Sequence, residues 1–192
     1  MQPDPRLVEH RADLLQRLRL AASQVSPDNF YDLLDPLMEG VLQRGFSTAC
    51  AHEGSVWLLD AEGENLVPAY NSGPQAAEFV GRFRQPVNRG LIGMVLASEQ
   101  PFVENEVFKN ARQDKGLDQL LRVQTCSLIA VPFYLMKSCR GVISCVQLKR
   151  ADAPGSVPEG FAPEHLASVQ CAAGILSRLL EYRLLSNAIG LD

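Results

Sequence analysis

The sequence predicts an α+β domain built on a mostly antiparallel sheet, and three observations carry that prediction. The stretch Cys126–Lys149 holds two apolar runs, Ser127–Leu135 and Gly141–Leu148, joined where Met136-Lys137-Ser138-Cys139-Arg140 turns polar; this is the pattern of an antiparallel hairpin. Apolar residues recur at helical spacing toward both ends of the chain. Between them, short runs with strand character alternate with breaks rich in glycine, proline and asparagine. The length of 192 residues suits one domain with helical extensions, and 46% hydrophobic with 21% charged residues is an ordinary globular balance.

From the N-terminus, Pro5 to about Ala22 carries Leu7, Leu14, Leu15 and Leu18 among charged residues. That is the narrow seam of an outlying helix that packs on a partner helix. Ser26-Pro27-Asp28 caps a second helix with Phe30, Leu33, Leu34, Leu37, Met38, Val41 and Leu42 on one face, bent at Pro36 and ended by Gly45. From Thr48 to Leu59 the period changes to that of a first strand, bulged at Gly54. Ala61–Asn65 is a turn and Leu66–Tyr70 a second strand. Gln75–Val80 reads as a short helix, Arg82–Val87 as a third strand, and Asn88–Ala97 as a short helix opened by Gly90.

Pro101–Val103 is then a short strand, Asn105–Gly116 a polar loop, and Leu117, Leu120 and Leu121 mark another short helix before the hairpin. Pro132 marks the point where the first hairpin strand loses regular pairing. After a proline- and glycine-rich linker, Ala151–Gly160, Pro163 opens a long helix striped by Leu166, Val169, Ala173, Leu176, Leu180 and Leu184. Leu128-Ile129-Ala130-Val131 is apolar at successive positions, so both faces of that strand need cover. Helices supply one side, and a ligand is one candidate for the other.

Composition excludes several classes. A net charge of -4 and a pI near 5.4 argue against a surface that neutralises nucleic-acid phosphates. No secretory signal and no apolar stretch long enough to span a bilayer is present, so no membrane partner is expected. The cysteines, Cys50, Cys126, Cys139, Cys145 and Cys171, are odd in number and scattered, which fits a reduced cytoplasmic setting. His10, His52 and His165 form no metal-ligand pattern. Neither a metal nor a cofactor is expected.

The order of the pieces resembles the GAF domain family of small-molecule sensing modules. The likeness runs from about Asp28 to Leu185 and rests on Gly90-Leu91-Ile92-Gly93 with Val95, Pro101-Phe102-Val103, Ser127-Leu128-Ile129-Ala130-Val131-Pro132, Arg140-Gly141-Val142-Ile143, and Phe161 before the last helix. It implies a central antiparallel sheet of about six strands, with the long N- and C-terminal helices on one face and short crossover helices forming a pocket on the other. Expected boundaries are 1–25 for an N-terminal dimerisation helix or linker, 26–187 for the GAF-like domain and 188–192 for a tail. The terminal helices of such domains pair with those of a second subunit, so a homodimer is expected.

The implied pocket lies among the third strand, the Gly90 helix, the Asp114–Arg122 segment and the first hairpin strand. Its candidate lining is Trp57, Phe83, Arg84, Gly90, Leu91, Ile92, Leu117, Leu121, Ser127, Ile129 and Cys145. Gly90 can start a helix whose free amides meet an anion, with Arg82, Arg84 and Arg89 adding charge; equally, Gly90 and Gly93 can serve only tight turning and close packing. Thr125, Ser127 and Ser144 are polar groups in or beside apolar strands and need partners if buried. Ser127 reads as ligand-facing or as solvated at a strand end. The acidic pairs Glu62/Glu64, Glu104/Glu106 and Asp114/Asp118 read as solvated loop faces.

Members of the family that bind cyclic nucleotides carry an Asn-Lys pair; here Leu148 precedes Lys149. Phytochrome-type members attach a tetrapyrrole through a cysteine, and 105–124 contains none. The family's free methionine sulfoxide reductases need thiols around the glycine-opened helix, where Ile92 stands instead. The expectation is therefore a non-catalytic regulatory domain of a bacterial-type signalling protein that binds an unknown small molecule. A ligand-free dimerisation or interaction module is the alternative, and a thiol reductase the third reading.

Overall fold

The computed structural model describes residues 8–150 and 158–191. Among these, α1 (Arg11–Ser23), α2 (Phe30–Leu33) and α3 (Pro36–Thr48) lead into β1 (Glu53–Leu59) and β2 (Asn65–Asn71). α4 (Ala76–Phe79), β3 (Gln85–Pro86), α5 (Gly90–Ser98), β4 (Phe102–Glu104), a 3-10 turn at Val107–Lys109 and α6 (Gly116–Leu121) form the crossover. β5 (Val123–Leu135), β6 (Ser138–Arg150) and α7 (Pro163–Ile189) follow. The six strands make one antiparallel sheet in the order β3-β2-β1-β6-β5-β4. The α+β class and the hairpin at its centre are as the sequence predicts.

Both faces of the sheet are covered. On one, Val56, Leu58, Ile129, Val131, Phe133, Ile143 and Cys145 pack with Leu42 and Phe46 of α3 and with Val169, Leu176 and Leu180 of α7. Leu18 and Ala22 of α1 join this core. On the other face, Trp57, Leu66, Leu128, Ala130 and Val142 meet Leu91 and Val95 of α5. Each fully buried leucine or isoleucine contributes about 1.5–3 kcal/mol, so neither layer can be stripped without exposing a core.

Several local expectations are corrected. Pro36 does not bend a continuous helix; it is the first residue of α3, and Asp35 caps that helix by accepting a hydrogen bond from the Met38 N–H at 2.8 Å. The missing proline donor therefore costs nothing. Gly45 does not end α3, which continues to Thr48. A Cβ at Gly45 would lie 2.5 Å from the Cβ of Ala172, so the glycine lets α3 and α7 approach closely. The first strand starts at Glu53, and its irregularity against β2 falls between Val56 and Trp57. Gly54 instead makes room for the Phe46 ring, which a Cβ would approach to 2.3 Å. The third strand shrinks to Gln85–Pro86.

The hairpin turn is tighter than its sequence suggests. Met136 and Lys137 have φ of 50° and 68°, the two-residue primed geometry that matches strand twist. Glu181 of α7 holds it by accepting the Met136 N–H at 2.8 Å, and the Ser177 hydroxyl donates to the Tyr134 carbonyl. Arg140 donates from Nη2 to the Ser23 and Val25 carbonyls at 3.1 and 3.2 Å, fastening the C-terminal end of α1. Pro132 stays in register opposite Val142, so pairing with β6 continues through it. It lies beyond Ala130, the last β5 residue paired to β4 in that direction, where the absent N–H is not needed. The linker Ala151–Gly160 falls mainly outside the described residues, as do Pro5 and Leu7.

Gly141 is the tightest point of the sheet: a Cβ there would sit 1.9 Å from the Trp57 carbonyl oxygen. Gly141→Ala is expected to lower unfolding free energy by about 3 kcal/mol. Gly174→Ala, in the α7 interior with nothing within 4 Å of the added Cβ, is expected to raise it by about 0.5–1 kcal/mol. Urea titrations of the two variants check the contrast.

Candidate ligand cavity

A cavity lies on the sheet face away from α3 and α7. Trp57, Leu128, Ser144 and Val146 form its floor, Leu91 and Ile92 of α5 and Leu117 and Leu121 of α6 its roof. It offers about 90 Å³ to the centres of water-sized molecules, well above the ~10–15 Å³ a single water occupies. Of the candidate residues, Trp57, Leu91, Ile92, Leu117 and Leu121 line it. Phe83 stands behind Trp57, edge to face with ring centroids 6.2 Å apart. Gly90, with φ of +70°, starts α5 beside the side chains of Gln85 and Asp114.

Arg84, Ser127, Ile129 and Cys145 lie elsewhere. Ile129 and Cys145 sit fully buried in the core on the helix side of the sheet. The run Leu128–Val131 is apolar throughout, so its sequence holds no alternation from which to choose a face. Parity is fixed by an extra residue: Thr125 pairs with Leu148 and Ser127 with Gln147, leaving Cys126 unmatched. Thr125 and Leu128 therefore both line the cavity. Ser127 is buried, with its hydroxyl toward the Asn105 carbonyl at 3.5 Å. The Arg84 guanidinium turns to Asp60 at 3.5 Å.

Polar side chains on the wall were the part the sequence concealed. Asp118 is no solvated loop residue: it accepts hydrogen bonds from the Thr125 N–H at 2.9 Å, the Thr125 hydroxyl at 2.6 Å and Gln113 Nε2 at 2.9 Å. Asp114 accepts from the Gly116 N–H at 2.9 Å and faces Arg89 at 3.4 Å. Trp57 Nε1 donates to the Ser144 hydroxyl at 3.0 Å, and Asn71 Nδ2 to that of Ser55 at 2.9 Å. Asn71 ends β2 and Gln113 lies in the loop before α6, two positions at which no hydrophobic periodicity marks a residue as wall.

No cysteine lines the cavity among the described residues. Burial raises the thiol pKa of Cys145 to about 12 and also raises those of Cys126 and Cys139. Cys50 and Cys171 are exposed.

Two side-chain amides, the exposed Asn105 and the buried Gln147, tie the cavity wall to the segment that leads into α7. Asn105 donates to the Phe161 carbonyl at 3.1 Å and accepts the Phe161 N–H at 2.7 Å. Gln147 accepts the Gly160 N–H at 3.0 Å and donates to the Gly160 carbonyl at 3.4 Å and the Cys50 carbonyl at 3.2 Å. Asn105 is two residues from Val107, and Gln147 lies between Val146 and Leu148, all three of which line the cavity.

A family model described as the GAF domain matches residues 33–180. The GAF domain from a phosphoenolpyruvate-protein phosphotransferase of Coxiella burnetii superposes with a TM-score of 0.61 at 17% identity, over 94% of this chain and 96% of that one. Its counterpart from Acinetobacter gives 0.58 at 17% identity, over 95% and 98%. The type II free methionine-R-sulfoxide reductase of Thermoplasma acidophilum gives 0.51 at 15% identity, over 76% and 96%. At such identities the likeness is one of fold. No curated protein matches the chain.

Asp60 closes the β1–β2 turn. Burial by itself raises its pKa, but hydrogen bonds from the Asn65 side chain and from the Asn65 and Glu64 N–H groups, with Arg84 adding charge, outweigh burial and leave it below the ordinary 3.8. Because the folded pKa is depressed, this stabilisation is present above the unfolded pKa and lost as pH falls through the folded one. Asp60→Asn is expected to cost about 1–2 kcal/mol at pH 7. Denaturant titrations should show the gap to the unsubstituted protein narrowing below about pH 4.

Proposed function

Since the chain belongs to the GAF domain family, we propose that it is a non-catalytic sensory domain in which a small molecule fills the cavity over Trp57 and alters the packing of the terminal helices across a homodimer. One observation carries this reading. The cavity and the long helices lie on opposite faces of one sheet, and Asn105 and Gln147 join the cavity wall to the start of α7. A ligand that displaces the crossover segment moves the Phe161 backbone with it. Differential affinity for two helix arrangements is all that signalling then requires.

The absence of thiols from the described lining favours binding over sulfoxide reduction, since a thiol reductase needs a cysteine beside its substrate. The dimer rests on the outer faces of α3 and α7, where Leu37, Val41 and Ile175 line a shallow groove and Leu37 and Ile175 are 62% and 44% exposed. Unpaired cysteines suit a reduced, cytoplasmic setting. Among the described residues no helix is long and apolar enough to cross a membrane.

Thermal shift across purines, cyclic nucleotides, amino acids, amines and 2-oxo acids tests the sensor. A ligand at a hundred times its Kd stabilises by about 2.7 kcal/mol, which for a chain of this size is a rise of roughly 5–10 °C in Tm. Silence across the panel favours the ligand-free interaction module. Sedimentation at micromolar concentration should give a dimer, and a monomer there overturns that half of the proposal. Asn105→Ala should keep the ligand-induced rise in Tm, yet lose ligand-induced protection of the first turns of α7 in hydrogen exchange.

A further inference from the structure

We infer that the cavity selects a small amphipathic amine or amidine and rejects anions; this rests on the proposed reading that the cavity is a ligand site. The sequence offered an anion as one reading, because a glycine-opened helix near three arginines suits a phosphate or carboxylate. The structure weakens that reading. Arg84 faces Asp60 and Arg89 faces Asp114, while Arg82 is exposed and does not line the cavity. The start of α5 lies beside the protein's own acid: a Cβ at Gly90 would lie 3.1 Å from the Cβ of Asp114. An anion brought to that end of the helix would meet the Asp114 carboxylate.

Donor and acceptor accounting on the wall leads to the same class. Trp57, Asn71, Gln85 and Gln113 each direct one N–H donor within the protein, to Ser144, Ser55, the Arg89 carbonyl and Asp118. Carboxylates accept only, so Asp118 fixes the orientation of the Gln113 amide with its NH₂ group toward the acid. Gln113 Oε1 is then left buried with no hydrogen-bond partner. An unmatched buried acceptor on a lining side chain calls for a donor from outside.

Charge agrees. Glu53, Asp114 and Asp118 line the cavity, while no lysine or arginine does among the described residues. Arg89, the cation next to this wall, has its side chain 65% exposed. An ammonium or amidinium head placed against Gln113, Asp114 and Asp118 gains acceptors and opposite charge, and its apolar body fits against Leu117, Leu121 and Trp57. A carboxylate or phosphate there meets like charge from Glu53, Asp114 and Asp118, with no lysine or arginine in the described lining to offset it.

Calorimetric titration with the isosteric pair benzamidine and benzoate, followed by agmatine, cyclic AMP and inorganic phosphate, decides it. Benzamidine or agmatine is expected to bind at least tenfold more tightly than benzoate, with the preference shrinking at high salt. Asp118→Asn should weaken the cation at least tenfold; should that variant fail to fold, Gln113→Met removes the orphan acceptor at similar length and should weaken it severalfold. Tighter binding of benzoate, cyclic AMP or phosphate overturns this inference and leaves the ligand-site reading standing. No binding by any of the five probes overturns this inference, and silence across the thermal-shift panel as well overturns the ligand-site reading.

Discussion

Burial of the β5–β6 hairpin on both faces is the constraint on which the rest of the structure depends. A strand pair whose residues alternate between two apolar layers cannot face water on either side, so the chain must supply two covers. One comes from the termini, α1, α3 and α7, and the other from the crossover between β2 and β5. The crossover elements are short and their cover is incomplete, because α5 and α6 span nine and six residues against thirteen for each hairpin strand. The cavity is the remainder. It exists because two small helices cannot tile the area that α3 and the long α7, with α1 beside them, tile on the opposite face.

Much of this was legible because periodicity reports burial. The stripe from Leu166 to Leu184 could only be a helix against a core, and the hairpin could only be central. What stayed hidden depended on single residues whose neighbours lie far away in sequence. Gly45 reads as a helix end until Ala172 is seen against it. Met136-Lys137 lacks the asparagine and glycine that mark a primed turn, and only Glu181, from α7, explains how it is held. The candidate wall was recovered on the helices, where Leu91, Ile92, Leu117 and Leu121 show an apolar side. It was lost on β5, where a bulge at Cys126 shifts parity and sends Ile129 into the other core, beside its β6 partner Cys145. A one-residue shift moves every side chain beyond it to the opposite face.

The same bulge has a chemical consequence. By bringing Thr125 and Leu128 onto one face, it places the Thr125 N–H and hydroxyl where both can bond to Asp118. Asp118 in turn orients Gln113, and the neighbouring Asp114 lies beside the start of α5. A local irregularity in one strand thus sets the polarity of the wall. Two acids that look like a solvated loop in sequence become fixed acceptors, and a helix start that looks like an anion site has a carboxylate next to it.

Whether such a cavity can address the long helices is a question of magnitude. Asn105 and Gln147 make four hydrogen bonds to the backbone of Phe161 and Gly160. At a net ~0.5–1.5 kcal/mol each, they hold the start of α7 to the cavity wall with about 2–6 kcal/mol. Allosteric coupling typically amounts to ~1–3 kcal/mol. A tether weaker than that would break before it transmitted anything, and one much stronger would lock α7 in a single arrangement. The bonds from these two amides fall in the range where a ligand pressing on Val107 or Val146 can bias the helix without having to unfold it. The tether also acts at one end only, since Ser177 and Glu181 anchor the middle of α7 to the hairpin turn. On the proposed sensory reading, motion originating at the cavity would be expressed as a tilt of the first turns of α7 about that anchor, and those turns run beside the exposed groove of α3.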